Sequence, residues 1–226
     1  GEILLDYGKD EERGELNMVY LMDKGANPSI LCVYQKNGAL TMHYTPLPLN
    51  KTALKGAGTA QDPYLLTCSN DFKLIDQNPS AYYEVANDID FLSTPFDGPK
   101  RAFTGQLDGK GYTLSNLCVM GGGLLNEVKE TATIKNINFE SPIMLLSDQH
   151  LEMAAGVLAN SMQGGVDTAG VASYSLLSNV HVANPVIKAI GYNEIVGGIV
   201  GYVALNTEVN TCSVTGADIV APSAQV

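Results

Sequence analysis

Tryptophan is absent from the 226 residues, and arginine occurs only at Arg13 and Arg101. Lys+Arg total 13 against 24 Asp+Glu, a formal net charge of −11. A chain so short of cations lacks the clustered Lys/Arg that phosphate binding requires. It also gains nothing from an anionic lipid surface. Neither nucleic acid nor membrane is therefore an expected partner. No apolar run approaches the about eighteen residues of a membrane helix. No basic-then-apolar leader opens the chain. Gly1 stands directly before an ordinary charged stretch, so the natural protein is expected to continue upstream. Catalytic and metal signatures are missing too: there is no CxxC, no HExxH and no GxSxG.

The four cysteines, Cys32, Cys68, Cys118 and Cys212, lie far apart among apolar or small residues. That placement favours buried thiols over a disulfide framework. His43, His150 and His181 have no second histidine nearby, and His181, at the variable position of a repeat, is expected to be packed or solvent-facing. Charged residues make up 16% of the chain, below the usual about a quarter. Hydrophobic residues reach 45%, with Gly at 23 and Pro at 10. That is enough apolar material for a core, and the turn-forming residues suit a β-rich chain.

Residues 1–55 read as an antiparallel β segment. Leu16–Leu21, Ile30–Gln35 and Ala39–Thr45 are strand candidates, the last two joined at Lys36-Asn37-Gly38. Asn-Gly between apolar runs is a hairpin signal because both residues accept positive φ. Pro46 and Pro48 then stop the pairing, and Lys51–Thr59 reads as a linker. Ser69–Gln77 is the helix candidate, with Ser69 or Asn70 as cap and Asn78-Pro79 as its end.

From residue 56 to 226 the chain is short β runs with an internal repeat. Leu114-Ser-Asn116-Leu-Cys-Val119, Ile134-Lys-Asn136-Ile-Asn-Phe139, Leu177-Ser-Asn179-Val-His-Val182 and Val209-Asn-Thr211-Cys-Ser-Val214 share one pattern. They begin 20, 43 and 32 residues apart. A second pattern lies between them, in Gly122-Gly-Leu-Leu125, Ala155-Gly-Val-Leu158 and Gly198-Ile-Val-Gly201. A fixed motif at variable spacing points to a parallel β-solenoid whose strands stack while its loops vary. Asn at a corner can adopt left-handed backbone and can ladder through its amide. Gly156 and Gly198 are expected where a Cβ would clash. A β-sandwich is the rival architecture, but Glu194–Ala204 is apolar on both sides and Gly-rich, not alternating.

Gly58-Thr-Ala-Gln-Asp-Pro-Tyr-Leu-Leu66 resembles the opening of bacterial surface β-helix domains. The helix candidate, Tyr82–Asp90 and Phe103–Leu117 follow in the same order. Ala132–Ile137 and Val196–Tyr202 resemble the repeats of GLUG-motif adhesin-like proteins. The resemblance implies an all-β chain over 56–226, a right-handed parallel β-helix opened by a short capping helix. It implies an extracellular or outer-surface location and no single activity.

Asp88 and Asp90 fall on one side of a strand and could hold Ca²⁺ or act as an acid pair. Hydrogen bonding at a strand end accounts for them as well, and is the reading adopted. Asp108-Gly-Lys-Gly111 reads as a tight turn bridging two coils. Tyr82, Tyr83, Tyr112, Tyr174, Tyr192 and Tyr202 could include a sugar-stacking face, although stacking inside coils is the plainer role. No catalytic, cofactor or metal residue is assigned. The expectation is a non-catalytic surface fragment that presents loops 141–153 and 160–175 to a host or bacterial surface glycan or protein. The alternative is a polysaccharide-active hydrolase or lyase. Lys188 is the only cation after Lys135, which disfavours a polyanionic substrate there. Glu140, Asp148, Glu152, Asp167, Glu194, Glu208 and Asp218 are the carboxylates open to a hydrolase in that half. Thr211–Val226 matches a repeat and then stops with nothing to cover the last coil, so the expectation is that the natural chain continues or that another chain caps this end, as in end-to-end self-association.

Overall fold

A computed structural model describes residues 9–10, 14–22, 29–37, 39–46, 53–146, 154–166, 168–189 and 195–221. The chain divides into two compact units, Gly1–Thr52 and Ala53–Val226.

In the first unit, Lys9–Asp10, Gly14–Met22, Ser29–Lys36 and Ala39–Pro46 form an antiparallel four-stranded sheet in chain order. Asn37 takes φ 53°, the left-handed turn that Asn-Gly predicts. A bulge between Leu16 and Met18 shifts the register. Pro46 is the last paired residue, opposite Ser29. His43 and Cys32 lie on these strands, and their side chains are outside the described residues.

Among its described residues the second unit has β-strands and one short helical stretch, Ser69–Lys73 as α-helix and Leu74–Gln77 as a 3₁₀ turn. The helix is where the sequence places it, but its cap differs. Cys68 is the N-cap and makes no side-chain cap bond. Asp71 instead reaches back, and its Oδ2 accepts from the Thr67 amide at 2.7 Å and the Thr67 hydroxyl at 2.8 Å. Phe72 and Ile75 are fully buried, and Phe72 stacks on Phe91 at 5.8 Å.

After the helix the strands recur in a fixed order and pair in parallel with their counterparts one pass earlier. Gln106–Asp108, Thr133–Glu140, Ser175–Ala183 and Thr207–Asn210 are neighbours in a nine-stranded sheet that begins at Tyr64–Leu66 and Tyr82–Val85. Pro95–Phe96, Cys118–Met120, Ile143–Leu146, Val186–Ala189 and Asp218–Val220 make a five-stranded sheet. Leu125–Lys129, Ala159–Gln163 and Val200–Val203 make a three-stranded one. A pass therefore visits the large, middle and small sheets in turn and then repeats. Parallel pairing needs such long returns, because a hairpin can only reverse a strand. Inward residues line up by type: Leu107, Ile134, Leu177 and Val209 in one row, and Leu114, Phe139, Val182 and Val214 in another.

That register corrects one expectation. Leu114-Ser-Asn116 does not stack on Ile134-Lys-Asn136. Leu114 pairs with Phe139, and Ile134 pairs with Leu107. Two of the corners in each pass are built alike, and the same short motif serves both. Asn136, Asn179 and Thr211 occupy the first, at φ 57°, 54° and 53°. Asn116, Ser141, Asn184 and Gly216 occupy the second, at φ 55°, 51°, 53° and 63°. Asn is favoured at such corners because its short polar side chain tolerates left-handed backbone. The Gly-rich pattern is displaced as well: Leu125 pairs with Ala159, and Ala159 with Val200. Gly156 answers to close approach, since a Cβ there would sit 2.5 Å from the Ile199 carbonyl oxygen and 2.6 Å from the Val200 Cα. Asp108–Gly111 is a turn, as expected, but it joins Gln106–Asp108 to Thr113–Ser115 within one pass.

The Lys51–Thr59 stretch is bonded from Lys55 onward. The Leu65 amide donates to the Lys55 carbonyl at 2.9 Å, and the Tyr82 amide to Gly58 at 3.0 Å.

Candidate functional site

A recess with a chemically varied lining lies over the first rungs of the large sheet. Its floor is two in-register rows of side chains. Tyr82, Gln106 and Thr133 form one row, and Glu84, Asp108 and Lys135 the other. Each row crosses three neighbouring strands, so it spans roughly 10 Å. Ala60 and Pro63 wall one side, and the cavity is about 210 Å³.

Strand pleating puts Tyr82 outside and Tyr83 inside. Tyr83 is buried and stacks between Tyr64, at 5.5 Å, and Phe103, at 6.1 Å. Its hydroxyl donates to the Asn78 carbonyl at 2.7 Å. Burial, reinforced by Tyr64 and Asp76, holds its pKa well above the ordinary tyrosine range. Tyr82, by contrast, is 41% exposed at the mouth of the recess.

The carboxylates here are paired. Glu84 Oε1 lies 3.3 Å from Lys110 Nζ. Asp108 Oδ2 lies 3.4 Å from Lys135 Nζ, and its Oδ1 accepts from Asn136 Nδ2 and the Lys110 amide, each at 2.9 Å. Partial burial alone would raise the Asp108 pKa. Those hydrogen bonds and the Lys135 charge outweigh it and hold the carboxyl below its usual range. A carboxyl held ionised cannot serve as the general acid of glycoside cleavage, which needs a raised pKa.

Asp88 and Asp90 are both exposed and flank buried Ile89. Asp88 Oδ1 accepts from the Thr113 amide at 2.8 Å. Asp90 Oδ1 accepts from the Leu92 amide at 2.8 Å and from Asn116 Nδ2 at 2.9 Å. Both carboxylates thus hold strand ends and the second corner. His181 Nδ1 lies 2.8 Å from Ser213 Oγ, and Nε2 lies 3.0 Å from Asn179 Oδ1, which makes it part of the ladder. His150, Asp148, Glu152, Asp167, Tyr192 and Glu194 lie outside the described residues. Cys68, Cys118 and Cys212 are free thiols, and burial together with the Asp71 charge pushes the Cys68 thiol pKa up. A thiol so shifted is a poor nucleophile.

Sequence reading missed Glu84, Asp108 and Lys135 as a group. What brings them together is the register of that pass: Gln106, Leu107 and Asp108 pair with Thr133, Ile134 and Lys135, each 27 residues on. Of the loops expected to present ligands, 147–153 lies outside the described residues. The 160–175 loop contains a small antiparallel hairpin, Gly165–Val166 with Ala172–Ser173. Val166, Val171 and Tyr174 are exposed around it.

This chain is similar to Halomucin of Haloquadratum walsbyi. The two are 29% identical over 214 residues, a match that covers 80% of this chain and 2% of the Halomucin length. No family model and no solved structure matches. The resemblance to GLUG-motif proteins therefore rests on the residues that carry it.

Proposed function

We propose that this chain is a non-catalytic module of an exported surface protein, extracellular or at the outer cell surface. Its parallel ladders form the walls of a right-handed β-helix, which presents loops and outward rows to a surface glycan or protein. The observation that carries this is the in-register recurrence of strands and corners through pass after pass. A rigid scaffold with loops of varied length is a common way to build a binding face. Support also comes from the similarity to a protein named Halomucin, which this chain matches over a small fraction of its length. The pairing of Glu84 and Asp108 with cations supports a binding role over a hydrolytic one.

Self-association belongs to the same proposal: the last described pass exposes Val209, Val214, Ile219 and Val220, and its strand edges would pair with those of a second copy.

Glycan-array and pull-down binding by the 226-residue chain tests the main reading. Saturable retention without product formation is expected. Turnover of any bound polysaccharide, abolished when Glu84 or Asp108 is replaced, would establish the hydrolase instead.

A further inference from the structure

We propose that the Tyr82 recess is a binding subsite for one neutral sugar unit, a claim that rests on the glycan-binding reading above. The charge balance selects the ligand class. Glu84 and Asp108 contribute two negative charges, and Lys110 and Lys135, bonded to them, contribute two positive ones. The floor is therefore polar yet close to neutral. A uronate or sialic acid would meet carboxylates already holding the nearby ammonium groups, so it would gain little from them. A bare cation would have to displace those same ammonium groups.

An uncharged polyol is suited to what remains. Hydroxyl groups donate to carboxylate oxygens and accept from ammonium and amide N–H without disturbing either ion pair. Gln106 and Thr133 add an amide and a hydroxyl in the row beside Tyr82. Gln106 Nε2 donates to the Thr131 carbonyl at 3.2 Å, which orients the amide. The Tyr82 ring and Pro63 supply the apolar surface against which the C–H face of a pyranose can rest. At about 210 Å³, the recess is smaller than the about 300–1,000 Å³ of pockets for drug-sized ligands. It therefore takes one sugar residue, with the rest of a glycan outside.

The test is an array carrying glucose-, galactose- and mannose-terminated glycans beside uronate- and sialic-acid-terminated ones. It is probed with the full chain and with Tyr82→Ala, Tyr82→Phe and Tyr112→Ala. Tyr112 is similarly exposed, at 38%, and lies outside the recess. Expected are retention on at least one neutral class, a loss of about tenfold or more in Tyr82→Ala, and retention in Tyr82→Phe and Tyr112→Ala. Thr133→Leu, which fills the recess from the far end of the Tyr82 row, is expected to lose binding to the same degree and serves if Tyr82→Ala melts early. Undiminished binding by Tyr82→Ala and Thr133→Leu would overturn the subsite while leaving a glycan-binding module elsewhere on the chain. Retention on acidic glycans alone would overturn the neutral class. Retention on no glycan would overturn both this subsite and the glycan reading beneath it.

Discussion

Two passes of this chain carry nearly the same side chains in the same register and differ in what lies beyond them. Leu177, Val182 and Ile187 pair with Val209, Val214 and Ile219 of the last described pass. The first three are 1%, 1% and 0% exposed; their partners are 49%, 38% and 37% exposed. The apolar residue is present in both passes, so burial comes from the neighbouring pass and not from the local sequence. A pass on its own cannot hide its apolar row. At the other end of the ladders, Phe72 of the short helix and Ile75 of the 3₁₀ turn after it are fully buried.

The sharpest way to break the comparison is to push two central passes apart. Gly156→Ala sets a methyl against the Ile199 carbonyl and the Val200 backbone, and should cost about 3 kcal/mol in denaturant unfolding. The comparison itself is sharpened by one substitution made twice. Val182→Thr buries a hydroxyl among apolar neighbours and should cost about 1–3 kcal/mol. Val214→Thr, in the last described pass, where Val214 is 38% exposed, should stay within about 0.5 kcal/mol. Equal losses at the two sites would contradict the difference in burial.

The corners give a smaller contrast. Asn179 Nδ2 donates to Asn136 Oδ1 at 2.9 Å from left-handed backbone. Asn179→Ala removes both that bond and the tolerance for positive φ, and should cost about 1–2 kcal/mol. Thr211 holds the next position in the column at φ 53° with a β-branched side chain, which is strained there. Thr211→Asn should therefore raise the melting temperature, by an amount equivalent to about 0.5–1 kcal/mol.

The smallest effect concerns acid. Asp108 has its pKa depressed by Asn136, the Lys110 amide and Lys135 against the opposing pull of burial. A carboxyl depressed in the folded state adds stability above its unfolded pKa and loses it as pH falls through the folded value. Thermal melts of the wild type should fall through that acidic window, and Asp108→Asn should flatten part of the slope. A steeper acid limb in Asp108→Asn would show that the pairing is misassigned.

Much of the architecture was legible in the residues, and its register was not. The Asn-centred motif marks a left-handed corner, and a corner is all it marks. Because two corners of each pass carry the same motif, Leu114-Ser-Asn116 and Ile134-Lys-Asn136 look equivalent while lying on different edges. The 20-residue gap between them was the warning, as the stacked pairs are farther apart, Leu114 and Phe139 by 25 residues and Asp108 and Lys135 by 27. The Asn37 turn and the Ser69–Gln77 helix were readable because their signals are local. The helix cap was not, because the Asp71 carboxylate bonds backward to Thr67 and leaves Ser69 and Asn70 unused as caps. The recess was hidden for the same reason as the register. Glu84, Asp108 and Lys135 come together only once the length of each pass is known.

The central claim is parallel, in-register stacking, and spin labels test it most directly. Lys135 pairs with Ser178, and Ser178 with Asn210, so labels at Lys135→Cys and Asn210→Cys sit two strand spacings apart, roughly 10 Å. With the native cysteines replaced, strong dipolar broadening is expected in this pair. A pair at Lys135→Cys and Asn116→Cys, on different corners, should broaden less. A spectrum for the first pair no broader than the sum of its singly labelled parents would contradict the stacking.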